Sequence, residues 1–206
     1  MANFVQFFSS GPSREEPQGR PEEYEQPEWA GPSDGELGEC VPLSVIVARS
    51  ERAVVAIKHA TAYSRGLIFD FVSAARGLPE RDTNRLFHEQ HVLDAEAEPP
   101  AGFLRIGIEL ADGTRISNLG NPHRHLWRPD AVPQGPLLVP SSGGGGSAGA
   151  GRVTMSPGYW LWPLPPPGPL RVFVEWPALD IPLSSAELDS EPLLDAAARS
   201  QLLWPA

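Results

Sequence analysis

Residues 103–118 of this chain read FLRIGIELADGTRISN, a pattern that is typical of a β-hairpin. From residue 103 to 110, apolar residues alternate with polar or small ones, which is the period of a strand with one buried face. Asp112-Gly113 follows, and this pair accommodates the positive φ angles of a tight turn. The returning segment repeats the alternation, so the pattern predicts two antiparallel strands.

Further short apolar segments lie on both sides of this hairpin. They are rich in β-branched and aromatic residues, and glycine, proline or polar residues bound them. They cover residues 45–48, 54–63, 67–71, 137–139, 159–162 and 170–176. In the second of them, we expect Val55, Ile57, Thr61 and Tyr63 to share one face. Short strands at hairpin spacing predict an all-β fold, a two-sheet β-sandwich of the immunoglobulin-like or jelly-roll-like kind, with a small barrel as the alternative.

The end of the chain has a different pattern. Ser190 is a candidate N-cap, Pro192 lies in the first turn, and apolar residues recur at helical spacing as far as Leu202. These signals predict one C-terminal α-helix of about three turns.

The first 40 residues form a separate compositional zone with nine acidic residues and two arginines. Such a segment has too little apolar surface to offset the entropy lost on ordering. We therefore expect a disordered acidic tail at 1–40 and a sandwich domain at 41–206. Within the domain, the composition predicts long loops at 77–102, 120–135 and 141–152, the first with one helical turn at 85–92 and the last a mobile run of glycine, serine and alanine.

Charge and composition limit the classes of partner and compartment. The formal net charge is −10 and the 15 arginines are scattered along the sequence, so we expect no nucleic-acid binding. Cys40 is the single cysteine, and neither a secretory signal nor an apolar stretch of membrane-spanning length is visible. These features predict a cytoplasmic protein without a membrane partner. The oligomeric state is left open.

Several proline- and tryptophan-containing motifs cluster in the last third of the chain. Residues 159–170 read YWLWPLPPPGPL, EWP follows at 175–177, and AAARS and LWP lie at 196–200 and 203–205. Through these motifs and the ELADG hairpin at 109–113, residues 41–205 resemble a family of actinobacterial proteins to which no function is assigned. No catalytic residue is carried over from that resemblance. We interpret residues 163–169 as a stiff hairpin connection between two strands.

The histidines are candidates for a metal site. His88 and His91 lie three positions apart, whereas the zinc-protease motif places its two histidines four apart on one helix face. His123 and His125 would share a metal ion only on a strand, and a metal site needs three or four convergent ligands. With His59, these residues support a metal-dependent enzyme as an alternative hypothesis. The residue patterns assign no metal ligand and no cofactor.

Aromatic residues are the most suggestive candidates for an interaction surface. Tryptophans at alternating strand positions more often pack between the sheets, so packing is the favoured interpretation of Trp160, Trp162 and Trp176, and an exposed platform for a carbohydrate or another ligand is the alternative. Phe7 and Phe8 could contact a partner from the tail.

No local motif predicts a catalytic site. The glycines at 143–146 lack the strand, helix and lysine of a phosphate-binding loop, and Ser147 lacks the context of a nucleophile elbow. The leading hypothesis is therefore a non-enzymatic interaction or scaffold protein with an unidentified protein partner. The tail is its candidate recognition arm.

Overall fold

The computed structural model describes residues 26–90, 98–119 and 133–204, with only the backbone at 142–144. In chain order the elements are β1 (Glu36–Leu37), β2 (Glu39–Arg49), β3 (Ala53–Tyr63), β4 (Gly66–Ala75), α1 (Glu80–Glu89), β5 (Arg105–Glu109), β6 (Arg115–Ser117), β7 (Leu137–Gly149), β8 (Arg152–Trp162), β9 (Pro169–Trp176), a 3₁₀ turn (Pro177–Leu179), β10 (Ile181–Asp189), α2 (Glu191–Ala197) and β11 (Gln201–Leu202).

Two antiparallel sheets form the described body. The larger sheet has the strand order β2-β3-β4-β8-β7, the smaller has β10-β9-β5-β6, and β1 pairs with β11 in a separate ribbon. Phe69 and Phe71 of the larger sheet are in one buried cluster with Val172 and Trp176 of the smaller sheet. Each such side chain stabilises the fold by about 1.5–3 kcal/mol through burial. The predicted all-β sandwich is confirmed.

The hairpin predicted at 103–118 is present as β5 and β6. Glu109 is paired with Arg115, and Gly113 in the turn has a φ of 84°. The Asp112 carboxylate accepts a hydrogen bond from the backbone N–H of Thr114 at 2.9 Å, and this bond lowers the pKa of Asp112. The local turn chemistry therefore agrees with the alternation that predicted the strands.

A β-bulge in β3 corrects the predicted face of that strand. The pairing with β4 shifts between Ile57 and His59. Val55 and Ile57 are fully buried in the core, whereas Thr61 and Tyr63 are partly exposed on the other face. An extra residue reverses the alternation beyond the bulge, so one period cannot describe the whole strand.

The predicted boundary of the tail at residue 40 is wrong for residues 26–40. These residues contain a turn, β1 and the start of β2, and Trp29 is only 3% exposed. The indole Nε1 of Trp160, on the face of β8 away from the core cluster, donates a hydrogen bond to the carbonyl of Glu28 at 3.1 Å. The buried side chain of Trp29 supplies apolar contact to this segment. The average composition of residues 1–40, which is acidic, does not reveal this contribution. Residues 1–25, with Phe7 and Phe8, lie outside the described residues.

The predicted linker at 141–152 is also wrong. Residues 141–149 belong to β7, which pairs with β8 down to Gly149 opposite Arg152. Ala150 and Gly151 make the turn with φ values of 50° and 69°. Because β7 lies at the edge of the sheet and needs only backbone hydrogen bonds on one side, residues without apolar side chains can occupy it.

The loop predicted at 77–102 contains a full helix rather than one turn at 85–92. Glu80 and Asp82 occupy the first turn of α1, where negative charge is favourable, and Thr83 and Leu86 form its buried side. Residues 91–97, and residues 120–132 of the loop predicted at 120–135, lie outside the described residues.

Two predictions for the last third are corrected. The segment 163–169 joins strands of different sheets instead of closing a hairpin, and the Trp162–Pro163 peptide is cis. The C-terminal helix covers only residues 191–197, because Gln201 and Leu202 pair with β1. The Ser190 hydroxyl does not cap α2 but accepts a hydrogen bond from Gly168 N at 2.8 Å.

Candidate functional site

A cleft of about 430 Å³ opens where α1 lies against β7 and β8. We call it the Tyr159 cleft. Its lining is mainly apolar, with a few amide and hydroxyl groups, which is typical of sites for small molecules. The lining residues are Phe87, Gln90, Phe103, Leu104, Asn118, Pro140, Ser141, Gly145, Gly146, Met155, Pro157, Gly158 and Tyr159.

Asn118 joins the two sheets at the base of this cleft. Its side chain is 2% exposed, its Oδ1 accepts from the Ile106 N–H at 2.8 Å, and its Nδ2 donates to the Leu104 carbonyl at 2.9 Å. The same Nδ2 donates to the hydroxyl of Tyr159 at 3.0 Å. Both Nδ2 hydrogens are therefore engaged, and the amide orientation is determined by its surroundings.

Gln90 holds α1 against the segment that leads into β5. Its Nε2 donates to the carbonyls of Leu86 at 3.1 Å and Gly102 at 2.5 Å, and its Oε1 accepts from the Leu104 N–H at 3.0 Å. These bonds connect the C-terminal end of the helix to the smaller sheet. The Gln90 side chain thus joins two walls of the cleft, and both of its N–H donors are used.

Among the described lining residues, Tyr159 is a buried one with an unused donor. Its ring is 9% exposed and packs edge-on against Phe71, with ring centres 6.1 Å apart. The hydroxyl accepts from Asn118, but among the described residues no acceptor takes its own proton. Burial raises the pKa of Tyr159, and the Asn118 hydrogen bond opposes that shift only in part. The hydroxyl is therefore neutral at physiological pH and can donate to a ligand.

The glycines of β7 determine the width of the cleft. A Cβ atom at Gly146 would lie 2.8 Å from Phe87 Cε2 and 3.0 Å from the Thr154 carbonyl oxygen, which is closer than van der Waals contact allows. The neighbouring Gly145 has open space at the same position. The pairing of β7 with β8 is irregular between Ser141 and Gly145, so the strand bulges beside the cleft.

The structure does not bring the described histidines together. His59 Nε2 lies 3.1 Å from Asp70 Oδ2 across β3 and β4, and His88 is exposed on α1. His91, His123 and His125 lie outside the described residues. Within residues 26–90, 98–119 and 133–204, no group of three or more potential metal ligands converges.

Of the two alternatives for the tryptophans, Trp160 and Trp176 follow the favoured one, packing within the protein, and the exposed platform is wrong for both. Trp160 and Trp176 are both fully buried. Trp176 Nε1 donates to the Gly102 carbonyl at 2.7 Å, and Trp160 packs edge-on against Tyr63 at 5.8 Å. Because both side chains are covered by protein, neither belongs to a binding platform. Trp162 is half-buried, and its role as a surface contact stays a prediction.

The residues that form the cleft were missed by sequence reasoning. Tyr159 stood out only as a neighbour of tryptophans, and Asn118 only as the end of a hairpin. The one local signal was the polar side chain of Asn118, at a position where the alternation of β6 predicts a buried residue. A buried asparagine needs hydrogen-bond partners, so this position indicated a hydrogen-bond network. Comparisons with protein-family models, curated proteins and solved structures give no match to this chain.

Proposed function

We propose that this protein is a non-enzymatic binding protein whose Tyr159 cleft holds a small, mainly apolar molecule with one hydrogen-bond acceptor. The observation that supports the proposal is the Tyr159 hydroxyl, which is oriented by Asn118 and has a proton to donate. A ligand carbonyl or ether oxygen would accept that proton.

The size and chemistry of the cleft support this class of ligand. A volume of about 430 Å³ lies within the range of small-molecule sites and exceeds that of a two-ring compound. Phe87, Phe103, Leu104 and Met155 would contact the apolar body of the ligand. The polar groups of Gln90 and Asn118 are already engaged with protein atoms, so they shape the walls rather than bind the ligand.

The lining favours binding over acid–base catalysis. Tyr159 is the one residue with an ionisable side chain among the described lining residues, and its pKa is raised by burial. General base catalysis needs a group that accepts a proton near the working pH. A tyrosine held in its neutral form instead donates a hydrogen bond and orients the bound molecule.

A matched pair of fragments tests the proposal. 1-Indanone has a carbonyl acceptor, whereas indane has the same two rings and no acceptor. We expect 1-indanone to bind about three- to tenfold more tightly than indane, which is the contribution of one neutral hydrogen bond. The readout is the shift of the Gly146 and Gly158 amide signals in nitrogen-labelled protein.

Two tyrosine variants complete this test. Tyr159→Phe should remove the preference for 1-indanone, whereas Tyr63→Phe, on the other face of the larger sheet, should retain it. The proposal is wrong if neither fragment shifts these signals saturably, or if Tyr159→Phe keeps the preference.

We also propose a cytoplasmic location, which the single cysteine Cys40 supports.

A second candidate function is protein interaction. The β1–β11 ribbon and the residues directly after it carry exposed apolar side chains, with Leu37 at 55%, Leu202 at 69% and Trp204 at 77% exposure. A cluster of this kind on a small ribbon favours contact with a partner. The test compares proteins captured by the wild type with those captured by Leu202→Ser/Trp204→Ser, and an identical set from both would contradict it. Within the described residues, no helix has the length and apolarity to cross a bilayer.

A further inference from the structure

Four arginines lie around one end of the larger sheet, the end at which the β2–β3 turn is located. Arg49, Arg52, Arg76 and Arg152 line one open cleft of about 480 Å³, which we call the arginine cleft. The chain as a whole has a net charge of −10 and a single lysine. A concentration of positive charge is therefore unexpected at this place.

The strand register brings these arginines together. Arg76 N donates to the Arg52 carbonyl at 2.9 Å, and the pairing of Ala75 with Val153 places Arg76 beside Arg152 on the next strand. Adjacent strands are about 4.8 Å apart. Arg49 is paired with Val54, in a row two residues away from that of Arg52, Arg76 and Arg152. The β2–β3 turn and the adjacent ends of β2, β4 and β8 thus contribute guanidinium groups to one surface.

Small side chains leave the surface between the arginines open. Val54 pairs with Ala74, and Ala74 pairs with Thr154, so the row that starts at Arg49 continues with three short side chains. All three residues line the cleft. A ligand can therefore approach the guanidinium groups across a flat floor.

Most of this positive charge lacks a carboxylate partner within the described residues. Arg52 forms an ion pair with Asp180 at 3.1 Å. Arg49, Arg76 and Arg152 form none in the described part of the chain, although Arg76 Nη2 donates to the Glu51 carbonyl at 3.4 Å. Glu51 is the one acidic residue among those that line the cleft. Like charges on neighbouring strands are destabilising, so an anion bound here would relieve their repulsion.

We propose that the arginine cleft binds a ligand with at least two adjacent phosphate charges. Guanidinium groups form paired, charge-assisted hydrogen bonds with phosphate oxygens, and several of them can surround a diphosphate. The site is independent of the Tyr159 cleft, because Thr154 is exposed on the outer face of β8 whereas Met155 is buried on the core side. The phosphate can belong to a free small molecule or to a lipid headgroup.

The first experiment is a calorimetric titration of the full chain with sodium pyrophosphate at neutral pH. Arg76→Gln/Arg152→Gln should weaken binding at least about tenfold, because each lost charged hydrogen bond contributes about that factor. The matched control is Arg81→Gln/Arg85→Gln, which removes the same charge from the exposed face of α1 and should change affinity less than about twofold.

A second arm separates the two sources of phosphate. Vesicles of phosphatidylcholine with phosphatidic acid are sedimented with the wild type and with both double variants. Pyrophosphate binding without sedimentation supports a free ligand, and arginine-dependent sedimentation supports a headgroup. The proposal is overturned if pyrophosphate does not bind saturably and vesicles do not sediment the protein, or if the two double variants lose affinity equally.

Discussion

The side-chain Nδ2 of Asn118 donates a hydrogen bond to the hydroxyl of Tyr159 at 3.0 Å, and this bond connects the two sheets. Asn118 follows β6 in the smaller sheet, and Tyr159 belongs to β8 in the larger sheet. The bond orients a phenol that has one hydrogen left to donate into a mainly apolar cleft. It therefore serves both the stability of the sandwich and the chemistry of the candidate site.

Asn118→Ala should lower the free energy of unfolding by about 3 kcal/mol. The substitution leaves the Ile106 N–H, the Leu104 carbonyl and the Tyr159 hydroxyl without their buried partner, and each loss is costly. Urea denaturation followed by circular dichroism measures the change. The control Asn84→Ala, on the exposed side of α1, should stay within about 0.5 kcal/mol of the wild type. Equal stability of the two variants would contradict the role of Asn118.

The alkaline titration of the tyrosines should contain a late step from Tyr159. Burial raises the pKa of Tyr159 above its ordinary value of 10.0, so the folded state retains this proton where the unfolded state loses it. The contribution of the protonated Tyr159 hydroxyl to the free energy of unfolding is complete below pH 10. It declines as the pH rises through the pKa that Tyr159 has in the folded protein. Near-ultraviolet absorbance of tyrosinate should lose one late step in Tyr159→Phe.

A second tyrosine also titrates late and serves as the comparison. Burial is the main cause that raises the pKa of Tyr63, with Glu36 and Asp70 contributing negative charge nearby. Tyr63→Phe should therefore remove a different step from the same titration. If Tyr159→Phe removes an early step of the absorbance curve and leaves the late steps unchanged, Tyr159 is not buried as described.

Trp29→Ala should destabilise the protein by about 3–5 kcal/mol, because the side chain is 3% exposed and its removal leaves a cavity. Trp204→Ala removes the same side chain from a site where it is 77% exposed, and should change stability by less than about 0.5 kcal/mol. Thermal unfolding of the two variants provides the comparison. Similar melting temperatures would mean that residues 26–31 do not pack as described.

Gly146→Ala should weaken binding of 1-indanone in the Tyr159 cleft by about tenfold, because the new methyl group displaces Phe87 towards the ligand. Gly145→Ala is the matched control, since its Cβ meets open space, and affinity should stay within about twofold. Fluorescence competition or amide shifts give both dissociation constants. A larger effect from the Gly145 substitution would place the ligand elsewhere.

The local structure of the hairpin at 103–118 was predictable because every signal there acts over a few residues. Alternation defines the buried face, and Asp112-Gly113 defines the turn. The face of β3 was not predictable, since the bulge between Ile57 and His59 depends on how β3 pairs with β4. The glycine run of β7 was likewise invisible as a strand, because pairing with β8 rather than its own side chains makes it one.

Neither cleft could be predicted, because each is assembled from distant parts of the chain. Gln90, Asn118 and Tyr159 meet only after α1 and both sheets have formed. Arg49 and Arg152 are about one hundred positions apart in sequence, yet the order of strands in the larger sheet places them around one opening. Scattered arginines therefore do not exclude a basic surface.

The most direct test of the Tyr159 cleft uses the two methionines of the chain, Met1 and Met155. Met155 is 6% exposed and lines the cleft, so its methyl carbon reports on a bound ring, and Met1 provides an internal reference. Protein labelled with carbon-13 at the methionine methyl groups is titrated with 1-indanone. The account predicts a saturable shift and a nuclear Overhauser contact at Met155 with no change at Met1. An unchanged Met155 signal at saturating 1-indanone, or equal shifts at both methyl groups, would contradict it.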